Sequence, residues 1–388
     1  MNKVRLGDIA TVITKGTTPT SLGYDFVDSG INFIKIESIT EDGSFIADKF
    51  AYITDECNQK LSRSQLQEND ILFSIAGAIG RVAIVDGGIL PANTNQALAI
   101  IRVPKGIYEY NFLKYILKSP MISKQFEKQK QGVAQINLSL KNISDFEIPV
   151  ISLEQQKQIS FVLDKITDLI DNRKKQLEKL YELVKARFVE LFGDVANSPK
   201  YSGVPLGTIC STLSGGTPTT KVPEYYQGDI PWISTPYLGN NHINGSSAKA
   251  YITEDAIKNS ATHLIPANTI MFGIRVGVGK SSIIDEPMCA NQDIVALMGI
   301  DTNKYNLLFV KHTLDSYQSH FDSIKKGATI LGITTDDLKK VLIPNVDIGL
   351  QNQFATFVEQ TDKSKLEVQK SLEKLELLKK ALMQKYFG

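Results

Sequence analysis

The chain is written twice, and that constrains its fold more than any other feature. "VRLGDI" from Val4 recurs as "VPLGTI" from Val204, and "GTTPT" from Gly16 recurs as "GTPT" from Gly216. "INFIKI" from Ile31 matches "IPWIST" from Ile230, and "AYITDE" from Ala51 matches "AYITED" from Ala250. "NDILFSIAGAIGRVAIV" from Asn69 matches "NTIMFGIRVGVGKSSII" from Asn268, and Asn95-Gln96 recurs as Asn291-Gln292. "GVAQINLSLKNISDFEIP" from Gly132 pairs with "GATILGITTDDLKKVLIP" from Gly327, and "ELFG" ending at Gly193 returns as "KYFG" ending at Gly388. The blocks keep their order while the offset drifts only from 200 to 195 residues. A tandem repeat of this length predicts two similar folded units rather than one large one.

The duplication decides how "FGIRVGVGKSS", from Phe272, is read. Gly279-Lys280-Ser281 looks like the end of a phosphate-gripping P-loop, but that motif needs a glycine five residues upstream, and position 274 is Ile. The aligned pair in the first repeat is Gly80-Arg81, with no Gly-Lys-Ser at all. What both copies share is an apolar run, a glycine turn, a base and more apolar or β-branched residues. That pattern predicts strand, turn, strand.

Each repeat divides in two. The first part, roughly 150 residues, alternates short Val/Ile/Phe/Tyr-rich runs with Gly, Pro, Asn and Asp, which predicts many short strands. It closes with helical patterning at "YNFLKYILKS" from Tyr110 and "YNLLFVKHTLDSY" from Tyr305. The second part has no Gly or Pro from Ser152 to Phe192 or from Leu350 to Phe387. Apolar residues there step by three and four: Ile159, Val162, Ile166, Leu169, Leu177, Leu180, Val184, Phe188 and Leu191, then Phe354, Phe357, Val368, Leu372, Leu375, Leu378, Leu382 and Tyr386. This is coiled-coil spacing. At 1.5 Å per residue each helix reaches roughly 50–60 Å. Arg173, Thr361 and Lys365 weaken the seam.

The expected fold class is therefore α+β: two similar mixed α/β heads, two long antiparallel coiled-coil helices and pseudo-twofold symmetry within one chain. The expected divisions are a first head at 1–150, a first helix at 151–195, a second head at 196–345 and a second helix at 346–388. A rod of fixed length joining two similar heads measures separation along a periodic ligand, and DNA is the obvious one.

Composition removes other classes. Met1-Asn2-Lys3-Val4-Arg5 leads into "LGDIATVIT" rather than a long apolar run, so no secretory signal is expected. No stretch approaches the roughly 20 apolar residues of a membrane span, and no membrane partner is expected. Cys57, Cys210 and Cys289 are far apart and odd in number, which predicts a reducing, cytoplasmic setting. None has a second Cys or a His at metal-ligand spacing, and His242, His263, His312 and His320 form no HxxxH pair, so no metal or cofactor is expected. The formal net charge of +1 leaves nucleic-acid binding to charge distribution.

The ordered, doubled set resembles the specificity (S) subunits of type I restriction–modification systems over the whole chain. The carrying residues are the "LGDI"-type start, the "GTTPT"/"GTPT" loop, the glycine hairpin and "NQ". They continue through "GVAQINLSL"/"GATILGITT" and "IPVISLEQQKQI"/"IPNVDIGLQNQF" leading into a long helix, with Val150 and Asn345 departing from the family's proline-side pattern. The resemblance implies that each head is a target recognition domain reading half of an interrupted DNA sequence. It also implies that the paired helices set the gap and dock two methyltransferase (M) subunits, and that restriction (R) subunits add translocation and cleavage. The subunit itself would have no catalytic centre. No "NPPY"-type methylation motif or Rossmann glycine fingerprint occurs in the sequence.

Internal alignment then sorts candidate DNA contacts. Positions alike in both heads hold the fold or grip phosphates, and positions that differ can read bases. Arg81 and Lys280 share a position and a charge, which fits phosphate contact or a solvated surface cation. Arg275 aligns with Ala76, and an arginine can donate two bonds to guanine, so Arg275 is a second-head base reader unless an ordinary salt bridge claims it. Lys35 and Glu37 align with Ser234 and Pro236, and Gln135 and Asn137 with Ile330 and Gly332. Lys124, Lys128 and Lys130, with Lys325 and Lys326 in the twin, precede the glycine of the last block and suit a phosphate track or a solvated helix face. The loops at Thr17-Thr18 and Thr217, the two Asn-Gln pairs and Trp232 read as structural, and Ser139 and Thr334 as helix N-caps facing Asn142 and Asp337.

Competing readings are a nucleotide-using enzyme, a coiled-coil scaffold that does not bind DNA, and the specificity subunit of a modification-only system. Because the heads differ at the proposed reading positions, the expected target is an asymmetric bipartite site.

Overall fold

The computed structural model describes residues 2–127, 137–248, 250–327 and 331–388. The chain forms two compact units, residues 1–174 with 370–388, and residues 175–369. The same plan is built in both. In the first unit Lys3–Arg5 pairs with Glu147–Pro149, so the head's two ends close on each other. Inside, Val12–Lys15, Leu98–Arg102, Ile71–Ser74 and Val82–Ile84 form a four-stranded antiparallel sheet in that spatial order. A three-stranded sheet sets Ile31–Ile34 between antiparallel Ala51–Ile53 and parallel Ala92–Thr94. The second unit repeats this with Gly203–Pro205 on Leu342–Pro344 and with Ser211–Ser214, Ile294–Met298, Thr269–Gly273 and Ser281–Ile284. It adds a short parallel strand, His242–Ile243, beside Ser281–Ile284. Its small sheet is Ala250–Ile252, Ile230–Ile233 and Cys289–Ala290.

The strands form where β-branched and aromatic residues fall in short runs, and those central to the sheet are buried on both faces. Ile71–Ser74 and Thr269–Gly273 are buried throughout, because a helix covers one face and the smaller sheet's core fills the other. The covering helices, Tyr110–Leu117 and Leu307–Ser316, lie within the stretches where sequence patterning places them. Asn69 and Asn268, aligned in the two copies, both adopt left-handed backbone (φ 68° and 57°) just before the central strand. Asparagine tolerates that conformation better than any bulkier residue.

Two helices of 40 residues, Leu153–Phe192 and Ile348–Phe387, fill the Gly/Pro-free stretches. The second begins two residues before the uninterrupted run, with Gly349 in its first turn, because Asp347 Oδ1 accepts from Gly349 N at 2.7 Å and caps the start. Within each unit the segments of the two helices run antiparallel. In the first unit Leu163 near one start shares a core with Phe387 at the other end. In the second unit Phe188 and Phe192 pack with Phe354.

The buried stripe departs from the seam read from spacing. Leu163, Ile166, Ile170, Phe192 and Phe387 are buried, whereas Val162, Leu169 and Leu378 are exposed. Each helix end packs on its head's covering helix as well as on the other long helix, as the Phe112–Phe387 ring pair at 5.5 Å shows, and this turns the buried face by about one residue. Thr361 is buried but satisfied, donating to Phe357 O at 2.8 Å. Lys365 lies 3.1 Å from Asp362 and 4.1 Å above the Tyr181 ring. No helix among the described residues is long and apolar enough to cross a membrane.

Candidate functional site

The glycine stretch is a hairpin in both units. Gly80 N donates to Ser74 O and Gly279 N to Gly273 O, each at 3.1 Å, and both glycines have positive φ (90° and 93°). At Gly279 the left-handed backbone disfavours a side chain, and an added Cβ would also have to displace the Gln318 amide, whose Oε1 it would meet at 2.0 Å. A strand follows Lys280 where a P-loop would begin a helix.

The last block of each repeat is tied to this hairpin. Leu138 N donates to Ile75 O and Ile333 N to Ile274 O, both at 2.9 Å. Immediately after come the two expected capping boxes, Ser139 with Asn142 and Thr334 with Asp337. The tie carries Asn137, exposed, to the first hairpin. In the second unit it gathers Arg275, Lys326, Thr334 and Asp337 around one concavity.

The threonine loops brace the heads from another side. Thr18 Oγ1 donates to Gln96 Oε1 and Thr217 Oγ1 to Gln292 Oε1. Trp232 packs against Tyr226 and donates its indole N–H to Gly216 O at 3.0 Å. Asn95 and Asn291 accept from the backbone two residues on. Each residue thus has a partner within its own head.

The candidate contact residues fall into different surroundings. Arg81 is half-buried, and its Nη1 donates to Ile39 O at 2.8 Å and Ile36 O at 3.3 Å. Lys280 is exposed on the turn, with no side-chain partner among the described residues. Arg275, 53% exposed, stands 4.0 Å from Asp293, the outer limit of an ion pair. Lys35 lies 4.3 Å above the Phe26 ring, and Glu37 is exposed in the next turn. Ser234 occupies the aligned place before the turn Thr235–Tyr237 and accepts from Tyr237 N at 3.1 Å. Lys124 is exposed on the helix Pro120–Glu127. Lys325 is paired with Asp322, whose carboxyl is held below its usual value first by that bond and then by Gln318. Lys326 exchanges backbone bonds with Gly332. Lys128, Lys130 and Gln135 lie outside the described residues.

Sequence reading missed the side chains that weld each head to its long helix. Gln156, buried, accepts from Glu109 N at 2.9 Å and donates to Ile151 O at 3.0 Å. Its counterpart Gln351 accepts from Asn306 N at 2.9 Å and donates to Lys304 O and Val346 O, each at 3.0 Å. The signal was in the quoted "SLEQQ" and "GLQNQ", where a glutamine recurs at the start of both helices.

Beside these the junctions differ. In the first unit Tyr115 donates to Asp164 at 2.6 Å, and burial pushes the Lys118 ammonium down to about 8. In the second, Lys311 lies 2.7 Å from Asp315, and burial pushes His312 down to about 4, leaving its Nε2 without a partner. A cavity of about 270 Å³ lies there, lined by Tyr181, Lys185, Asn240, Lys311, His312 and Lys365. No group of three or more His, Cys, Asp or Glu able to hold a metal occurs among the described residues. Burial raises the free thiols of Cys210 and Cys289 to about 11, so neither is a ready nucleophile.

Comparison with known proteins agrees with this duplicated plan. The family model described as "Type I restriction modification DNA specificity domain" matches twice, at residues 1–182 and 200–377. The MjaIX specificity subunit of Methanocaldococcus jannaschii is 31% identical over 174 residues, 44% of this chain and 40% of that subunit. A second subunit of that organism, the putative MjaX specificity subunit, is 25% identical over 404 residues, covering 97% of this chain and 90% of that one. Among solved structures, a chain from a study of complex assembly in a type I restriction–modification system superposes with a TM-score of 0.62 at 17% identity, covering 100% of this chain and 97% of that one. With one specificity domain matched in each repeat, the chain belongs to the type I restriction–modification DNA specificity family.

Proposed function

We propose that this chain is the non-catalytic DNA-recognition subunit of a type I restriction–modification complex in the cytoplasm. Each head (1–150 and 196–345) reads one half of an asymmetric, interrupted target, and the long helices (151–195 and 346–388) set the gap and dock two methyltransferase subunits, to which restriction subunits add. The observation that carries this reading is the unequal dress of two equal scaffolds. The hairpin, the loop tied to it and the turns Ile36–Ser38 and Thr235–Tyr237 are built by the same backbone bonds in both heads, while the side chains they present differ. Arg275 stands where Ala76 does, Lys35 where Ser234 does, and Glu37 where Pro236 does. Shared backbone with divergent exposed side chains is what two modules reading different bases require. Exposed apolar side chains on the long helices, among them Phe161 and Leu377, support docking of a partner there.

The test is methylation mapping in a host expressing the chain with its methyltransferase. Methyladenine at one interrupted, non-palindromic sequence is expected, and changing the length of the paired helices is expected to change the gap alone. Absence of chain-dependent methylation, with the methyltransferase folded and bound, overturns the proposal. DNA affinity insensitive to salt would point instead to a scaffold, because phosphate contacts weaken steeply as counterions are added.

A further inference from the structure

Aligned cations need not do aligned work. The two protons on Arg81 Nη1 are directed to the carbonyls of Ile36 and Ile39, which belong to one tight turn, since Ile39 N itself donates to Ile36 O at 3.2 Å. Within that turn Ser38 is buried and donates to Lys49 O at 2.9 Å, which leaves Glu37 as its exposed side chain, with Lys35 laid against Phe26 just before it. Arg81 therefore holds, from the far side of the hairpin, the turn that presents the first head's candidate base-reading groups.

The second head holds the same turn without its cation. The methyl of Thr235, aligned with Ile36, sits so close that a Cβ on Gly273 would lie 2.5 Å from it. Gly239 N, at the turn's exit, donates to Ser282 Oγ at 3.0 Å. Lys280 is left exposed.

We propose that Arg81 is a positioning residue that fixes the Lys35–Ile39 turn and through it the first head's base selectivity, whereas Lys280 contacts a DNA phosphate. This rests on the reading of the heads as DNA-recognition modules. A lysine at 81 keeps the charge but loses the planar fork that reaches two carbonyls, so Arg81→Lys separates the two roles with little risk to folding.

The experiment uses the full chain bound to its methyltransferase, with DNA affinity measured over a range of KCl for the cognate site and for single-base variants of each half-site. Arg81→Lys is expected to lose about tenfold or more of discrimination within the first head's half-site, with non-specific affinity and salt slope unchanged, as expected when base readout rather than a phosphate contact is disturbed. Lys280→Met is expected to lower the salt slope by about 0.9, the share of one phosphate, and to weaken all sequences alike. Arg81→Lys with wild-type discrimination overturns the positioning role, and Lys280→Met with an unchanged slope overturns the phosphate contact. A wild-type complex without sequence preference, its methyltransferase bound, sinks the underlying DNA reading, a result distinct from either.

Discussion

In the first head a carboxylate is sealed under the main sheet: Asp70, with a fully buried side chain, takes two bonds of 2.7 Å from Arg102 Nε and Nη2. In the second head the places that pair with the equivalent strand residues are Thr269 and Met298. One scaffold thus carries a bidentate ion pair where its twin carries a hydroxyl and a thioether. The backbone plan needs neither charge. A buried ion pair adds little over a well-packed neutral substitute, yet either half alone is expensive, so the two sites drift together or not at all.

That contrast can be broken directly. Arg102→Met leaves the buried Asp70 carboxylate with the Gln67 N–H, at 2.8 Å, but without its counter-charge, and is expected to destabilise the first unit by about 3–5 kcal/mol. The double variant Asp70→Thr with Arg102→Met, which copies the second head, is expected to recover to within about 1 kcal/mol of wild type, as a neutral replacement should. Chemical denaturation of the full chain reads both, and a double variant no more stable than the single one would show that the heads are not interchangeable here.

A smaller effect separates the junctions by pH. His312 is buried beside Phe354, with Asp315, Lys311, Asp362 and Lys365 around it, and burial holds its pKa at about 4. The unfolded chain binds that proton near pH 6.5. Between these values the unfolded state holds a proton that the folded state refuses, so stability falls as pH drops from about 7 to about 4, by up to about 3 kcal/mol. Counted from the helix caps Glu109 and Asn306, the equivalent place in the first head is Tyr115, whose pKa is raised by burial and by its bond to Asp164, so it stays neutral throughout that window. Replacing His312 with Phe should flatten the acid limb of the second unit's stability curve. An unchanged limb would assign the slope to other groups.

The welding glutamines should give the least. Gln351 makes three bonds and Gln156 two. Leucine at either place strands backbone groups at a cost of about 1–3 kcal/mol, with Gln351→Leu expected at the upper end. Thermal unfolding of the two variants side by side tests the order, and Gln156→Leu proving the worse would reverse the assignment of strength.

Much of this architecture was legible before any coordinates. The repeat gave the duplicated head, the Gly/Pro-free runs gave the helices, and the capping boxes at Ser139 and Thr334 were visible as short-range pairs. Each of those depends on residues close in sequence. What escaped depends on distant ones. The seam register was wrong at Val162, Leu169 and Leu378 because the helix packs on its head as well as on the other helix, which spacing alone does not encode. The role of Arg81 depends on carbonyls more than 40 residues away, and a carbonyl belongs to every residue type, so no letter announces it. The Lys311–Asp315 pair was invisible for a similar reason, and Gln351, though its recurrence was on view, reads as a surface letter until burial is known.

The two units also differ in how the chain is spent on them. The second is cut from one continuous stretch, 175–369, while the first takes residues 1–174 and then waits for 370–388. Phe387, almost wholly buried in the first unit's core, belongs to that later stretch. On the ribosome, where domains ordinarily mature from the N-terminus onward, the order here is inverted: the head translated last has all its parts first. The unit translated first lacks part of its core until residues 370–388 have been made. Deleting residues 370–388 would therefore strip part of the first unit's core and leave the stretch that builds the second unit whole.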